Sequence, residues 1–381
     1  MSGPAEALSG FLDGVTVLDL SHYISGPMAS LFLADMGADV LKVESPAGDA
    51  MQHLGPRDSG GKSIFYNALN AGKRVIRLDL KEPHGRARFL DLVRAADILI
   101  EGFRPDVMDR LGLDWETLSA SNPRLIMCSI SGYGRTSSQR ALAGHDANYL
   151  AELGVLHRNG DAAPCFYDPP LADLGGTFFA AMTILGALNG RERTGRGCRI
   201  DLGLADSIMP MQLMQVAAFG ANDFVPRRRG TYLNGGAAYY QVYATADGHH
   251  VVLGAVEPKF WQAFCKAAGR PDLVQRRNEP IPQDRLCADV GAIFANLTLE
   301  EASARFGDAD CCFSIVNDLG AAIRSEHVAS RALVRAAPHG YLQTLYPVWI
   351  DGHAPGPRAP LHICRDDASG FHAGKEVRNA P

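Results

Sequence analysis

Residues 15–43, VTVLDLSHYISGPMASLFLADMGADVLKV, decide the fold. The stretch 15–20 is an apolar run that ends in a turn signal, Ser21. Pro27 suits a helix start, and residues 28–36 carry apolar side chains at helical spacing. Gly37 stops that helix, and 40–43 reads as the next strand. Strand, helix and strand in this order make a βαβ unit.

The pattern continues outward. Stretches 75–80, 98–100 and 125–130 read as further buried strands, with helical stretches at 85–95 and 107–111 between them. Such alternation predicts an α/β fold, a doubly wound, Rossmann-like parallel sheet. Its ligands are expected at the carboxyl ends of the strands. Residues 171–188 form a small-residue helix, and 198–204 a strand running into another helix. The basic, Gly-rich stretch 227–236 reads as a linker. Beyond it, 239–244 and 250–253 look like antiparallel strands joined through Asp247-Gly248, a hairpin dipeptide. Helical stretches follow at 259–268 and 299–306. The expected division is a large domain, 1–226, with a returning segment, 333–381, and a linker plus smaller α+β domain, 227–332. The tail is rich in Pro and Gly.

The chain has 381 residues, 46% hydrophobic and 21% charged, enough for a sizeable core. Its net charge of −5 argues against nucleic acid or anionic membrane as a partner. The longest apolar stretch, around 178–188, is expected to be too short to cross a bilayer. None of the eight cysteines sits in a C-x-x-C pair, which fits reduced thiols in a cytoplasmic protein. The opening segment lacks the features of a signal peptide.

Several common chemistries find no support. Gly132-Tyr133-Gly134 lacks the third glycine of a dinucleotide fingerprint, and neither a P-loop nor a G-x-S-x-G elbow occurs. The His, Cys and Asp residues show no metal-ligand spacing, so no metal is expected. Three segments do suggest chemistry. Gly144-His145-Asp146-Ala147-Asn148-Tyr149 follows a strand end, where a histidine can face a ligand. The same residues fit a capping segment, with Asp146 as N-cap and His145 merely exposed. Asp173 opens an apolar helix beside Gly175 and Gly176, and free backbone N–H groups there could stabilise an oxyanion. It too fits a plain N-cap. Glu257, followed by Pro258, fits an ordinary helix start.

Taken together, the chain resembles the class III coenzyme A transferase superfamily (CaiB/BaiF type), and within it the α-methylacyl-CoA racemases. The likeness runs from about residue 12 to 333. It rests on Leu12-Asp13-Gly14-Val15, Gly26-Pro27, residues 34–40, Asn70-Ala71-Gly72-Lys73-Arg74, Leu78-Asp79-Leu80-Lys81, Phe103-Arg104-Pro105, Asn122-Pro123-Arg124 and Ser131-Gly132-Tyr133-Gly134. The racemase branch is carried by Gly144–Tyr149, Ala172-Asp173 with Gly175-Gly176, and Glu257-Pro258-Lys259-Phe260, where one residue is exchanged. Glu44-Ser45-Pro46 departs from the Asp-Arg-Pro of related racemases, so Lys42 or another cation is expected to replace the arginine's phosphate contact. Phe313-Ser314-Ile315 lacks a common proline, to which no function attaches.

The resemblance implies that His145 and Asp173 are acid/base residues on opposite faces of the α-carbon, with Glu257 paired to His145. It places Lys42, Leu78, Asp79, Leu80, Lys81, Gly102, Phe103, Arg104, Arg110, Gly144, Asp146, Ala147, Asn148 and Tyr149 around coenzyme A. It implies an interlocked homodimer closed by 227–236 and the tail, and a site at a domain or subunit boundary. The expected reaction inverts a 2-methylacyl-CoA thioester through an enolate, with no cofactor beyond the CoA of the substrate. Two alternatives remain: a CoA transferase with Asp173 as nucleophile, and a non-catalytic acyl-CoA-binding relative. Phe166, Tyr167, Met209, Met211 and Met214 are candidates for an apolar acyl pocket.

Overall fold

The computed structural model describes residues 6–337 and 340–364. The chain divides into two compact units, the first of Met1–Tyr149, Asp168–Met211 and Glu326–Pro381, the second of Leu150–Tyr167 and Gln212–Ser325.

The first unit is built on parallel strands β1 (Thr16–Leu20), β2 (Asp39–Glu44), β3 (Arg74–Arg77), β4 (Ile98–Glu101), β5 (Ile126–Ser131) and β6 (Cys198–Gly203). They lie in the order β3-β2-β1-β4-β5-β6, the order of a doubly wound sheet. Both faces are covered. Leu18, Leu20, Leu41, Val43 and Leu99 pack with Phe89 and Leu92 on one side. Val17, Val40, Ile98 and Ile100 pack with Ala29, Leu33, Ala180 and Ile184 on the other. Burial on two faces is why β1, β2, β4 and β5 read as largely apolar runs.

The helix expected from Pro27 begins earlier, at Ser25–Asp35. Pro27 is thus in the first turn, where its missing N–H costs nothing. The third strand ends at Arg77, short of the expected 80. Leu78 N–H still reaches the Glu44 carbonyl at 2.8 Å. Asp79 then turns the chain by accepting from Lys81 N–H at 3.0 Å. The helix Leu171–Thr194 is 24 residues long and is closed by Gly195 in the left-handed region, φ 67°. It is long and apolar enough to cross a bilayer, contrary to the expectation from 178–188. In this unit Ala172, Gly175, Gly176, Thr177, Ala180, Ile184 and Leu188 are buried.

The second unit carries an antiparallel sheet of β7 (Tyr240–Ala244), β8 (His250–Gly254) and β9 (Phe313–Ile315). Its core includes Trp261, Phe264, Phe294 and Phe306. Helices Leu213–Asn222 and Asp284–Ala295 go beyond the elements read from the sequence. The division falls at Gln212 rather than at 227, and segment Leu150–Tyr167 joins the second unit. Hydrogen bonds explain this. Gln212 donates to the Leu153 carbonyl at 3.1 Å, and Asn234 to the Arg158 carbonyl at 2.9 Å.

The described part of the tail carries three short strands. β10 (Val334–Ala336) and β11 (Leu342–Thr344) form a hairpin, and β12 (His362–Ile363) extends the large sheet beside β3. Arg358 clamps Asp35 with two bonds of 2.6 Å. Residues 338–339 and 365–381 of the expected returning segment lie outside the described residues.

Candidate active site

A cleft of about 400 Å³ opens at the carboxyl ends of β1 to β4. Its walls include Ser21, His22 and Tyr23 after β1, Lys42 to Ser45 on and after β2, Leu78 to Lys81 after β3, and Phe103 after β4. Of the residues assigned to coenzyme A, Lys42, Leu78, Asp79, Leu80, Lys81 and Phe103 line it. Arg104 and Arg110 are exposed near the same strand ends, and Gly102 is half-buried. Ser45 lies in the cleft wall.

Lys42 does not present a free charge to this cleft. Its side chain is 1% exposed; its ammonium reaches Asp49 at 2.9 Å and donates to the Ser21 carbonyl at 2.6 Å. Burial pulls its pKa down, but Asp19 and Asp49 outweigh burial and hold it above the ordinary lysine value. Lys81, Arg104 and Arg110, by contrast, are exposed.

Below the cleft lies a buried charge network. Asp19 faces Lys42 across β1 and β2 in register. It accepts from Ser21 N–H at 2.9 Å, from the Ser21 hydroxyl, from the Ser30 hydroxyl at 2.5 Å and from Lys73 at 3.2 Å. Lys73 also donates to the Pro27 carbonyl at 2.7 Å and Asn70 at 2.9 Å. Burial opposes the Asp19 charge, but Lys73 and Lys42 overcome it and hold this carboxyl far below the usual range. Burial pulls Lys73 down to about 8, with Asp19 resisting and Lys42 adding to the fall. The network grips residues 21–27, the turn after β1 and the first residues of helix Ser25–Asp35. Within that turn Tyr23 adopts φ 65°, an unfavourable conformation for a bulky residue that the surroundings must hold in place.

Tyr23 joins the cleft to His145. It lines the cleft, and its ring stands edge-on to His145 at 6.4 Å. His145 is exposed, and its N–H donates to Asn148 Oδ1 at 3.0 Å. Helix Asp146–Glu152 follows directly. Tyr149 donates to the Gly144 carbonyl at 2.7 Å. A Cβ at Gly144 or Gly132 would lie within 2.7 Å or 2.5 Å of the Tyr149 ring or hydroxyl, so both positions need glycine.

Asp146 links this segment to Asp173. Its Oδ1 accepts from Ala172 N–H at 2.6 Å and Asp173 N–H at 3.3 Å. Asp146 therefore serves the start of Leu171–Thr194, a helix farther along the chain, and is itself the first residue of helix Asp146–Glu152 rather than its N-cap. Asp173 is the third residue of that helix, not its cap. Of the backbone N–H groups at this helix start, where oxyanion stabilisation was expected, those of Ala172 and Asp173 are already taken. Burial pushes the Asp173 carboxyl above its ordinary range and Asp146 adds to the rise; the Ser25 hydroxyl and His145 partly offset both. A carboxyl raised in this way is suited to proton transfer.

Glu257 belongs to the second unit, where it precedes helix Pro258–Ala267 without capping it through its side chain. The candidate acyl-pocket residues are also divided: Met209 and Met211 in the first unit, Phe166, Tyr167 and Met214 in the second. Among the described residues no group of His, Cys, Asp and Glu could hold a metal. Ser25 and His22 had no signal in the sequence, since neither stands in a motif. His22 lines the cleft, and burial lowers its pKa.

The chain is similar to the α-methylacyl-CoA racemase of Homo sapiens, 33% identical over 324 residues, covering 84% of this chain and 81% of the relative. It is similar to the acetyl-CoA:oxalate CoA-transferase of Acetobacter aceti, 36% identical, covering 71% and 69%. A CaiB/BaiF family protein from Brucella suis matches in structure with a TM-score of 0.79 and 27% identity, covering 91% of this chain and 96% of that one. The family model of CoA-transferase family III matches residues 12–360. By sequence and by fold, the chain belongs to CoA-transferase family III.

Proposed function

We propose that this protein is a racemase or epimerase of 2-methylacyl-CoA thioesters. The observation that carries the reading is that Asp146, next to His145 in the chain, accepts from the Ala172 and Asp173 N–H groups and so draws the two segments together, with Tyr23 between His145 and the cleft. The CoA moiety is placed in the cleft at the ends of β1 to β4, with Lys81, Arg104 and Arg110 meeting its phosphates. The hydrogen beside a thioester carbonyl is a weak acid. One residue of the pair takes it from one face, leaving the electron pair in an enolate. The other returns a proton to the opposite face, and the roles exchange in the reverse direction. This requires one partner deprotonated and the other protonated, which fits a carboxyl raised by burial and coupled to an imidazole. Resemblance adds Glu257 as the carboxylate that orients His145. The proposed enzyme is a cytoplasmic homodimer with no cofactor beyond the substrate's CoA.

A second reading is favoured by the transferase relatives, which stand at similar identity. In it Asp173 attacks the thioester carbonyl and CoA thiolate leaves, so the acyl group passes to the carboxylate. Incubating the protein with 2-methylacyl-CoA esters in heavy water separates the two. The first reading expects deuterium at the α-carbon and a racemic product. CoA transfer to a free carboxylate with no α-deuterium would overturn it.

A further inference from the structure

Asp173 is held by a residue that the acid/base scheme does not use. The Ser25 hydroxyl donates to Asp173 Oδ1 at 3.2 Å. Ser25 is buried and opens helix Ser25–Asp35, but its side chain does not cap that helix. It is directed at the carboxylate instead. Its backbone is fixed as well. The Thr177 hydroxyl sits between the Ser25 carbonyl, 3.1 Å, and the Asp173 carbonyl, 2.9 Å. From below, Lys42 holds the Ser21 carbonyl and Lys73 the Pro27 carbonyl, on either side of Ser25.

We infer that Ser25 is a positioning residue for Asp173: it anchors Oδ1, leaves Oδ2 for the α-proton, and favours the basic form of the carboxylate. The inference rests on the acid/base reading of Asp173. Its physical basis is that a hydrogen bond to the charged form of a carboxyl stabilises that form. Burial and Asp146 act in the opposite direction, so Ser25 offsets part of both.

The test compares Ser25→Ala and Ser25→Thr with the unsubstituted protein. Two readouts are needed: the pH profile of α-deuterium exchange, and carboxyl ¹³C NMR of protein labelled at aspartate. Asp173→Asn assigns the Asp173 signal by its loss. Removing the donor raises the Asp173 pKa, so less base is present at a given pH. In Ser25→Ala both the acidic limb of exchange and the NMR midpoint should move up by about one pH unit. KM for the CoA ester should stay within about twofold, as the lost bond does not touch CoA. Ser25→Thr should restore both midpoints. If Ser25→Ala does not fold, Ser25→Cys removes the strong donor at similar volume and should show the same upward shift. An Asp173 midpoint identical with and without the hydroxyl overturns the inference. If the unsubstituted protein shows no exchange, the racemase reading fails, and the NMR midpoint still decides the role of Ser25.

Discussion

One region in each of the two units is held by opposite means. In the second, Phe264, Phe294 and Phe306 stack with centroids 5.2–5.9 Å apart, and Phe313 packs on Phe294 and Phe306. Such a core is stabilised by burying apolar area and by ring contacts. In the first, the region under the cleft is a set of buried ions, Asp19, Lys42, Lys73 and Asp49, with Tyr23 strained above them. Buried ion pairs contribute little net stability, because desolvation offsets their attraction. The contrast teaches where the molecule favours placement over stability. The aromatic core needs only to stay folded, whereas the ionic network fixes a turn and helix start that carry site residues.

The largest effect should come from breaking each core. Lys73→Met leaves Asp19 buried without its partner and should cost about 3–5 kcal/mol. Phe294→Ala opens a cavity and should cost about 3–5 kcal/mol. The two should differ in activity per folded molecule. Lys73→Met releases the Pro27 carbonyl and disturbs the turn and helix start that carry Tyr23 and Ser25, so its folded fraction should be impaired. Phe294→Ala should leave residues 21–27 as they are. Denaturant unfolding with specific activity normalised to the folded fraction measures both. Sharpening the comparison, Asp19→Asn with Lys73→Met should recover stability without recovering activity. A Lys73→Met protein fully active once folded would reduce the network to a structural feature.

A smaller effect is expected at the rim. Arg104 is exposed, so the contact proposed for it with a CoA phosphate would be screened. Arg104→Ala should weaken acyl-CoA binding by about three- to tenfold at low salt, and less at high salt. Titration calorimetry at two salt concentrations reads this. Equal affinity at low salt would remove Arg104 from the CoA site.

The sequence carried most of the sheet because β1, β2, β4 and β5 are buried on both faces, and such strands stand out as apolar runs. Gly37, φ 103°, marked the helix end as expected. What could not be read were the tertiary uses of polar residues. Lys42 looks like a strand-end cation, yet it lies opposite Asp19 in register and turns inward. Asp146 looks like a local cap, yet its acceptor reaches a helix 26 residues on. The N–H groups of Ala172 and Asp173 are therefore occupied, a fact that local pattern cannot reveal. Ser25 has no signature at all, since a serine at a helix start normally caps its own helix.

The central claim is that His145 and Asp173 work on opposite faces of one carbon. The direct measurement is α-deuterium incorporation into each enantiomer separately, by mass spectrometry, for the unsubstituted protein, His145→Ala and Asp173→Ala. The unsubstituted protein should label both enantiomers. Each variant should lose inversion, with rates down by about 10²–10⁴, and His145→Ala should retain exchange of one enantiomer through Asp173. Asp173→Ala should retain exchange of the other. A His145→Ala protein that still inverts its substrate, or that still moves CoA to a free acid at an undiminished rate, would contradict the account.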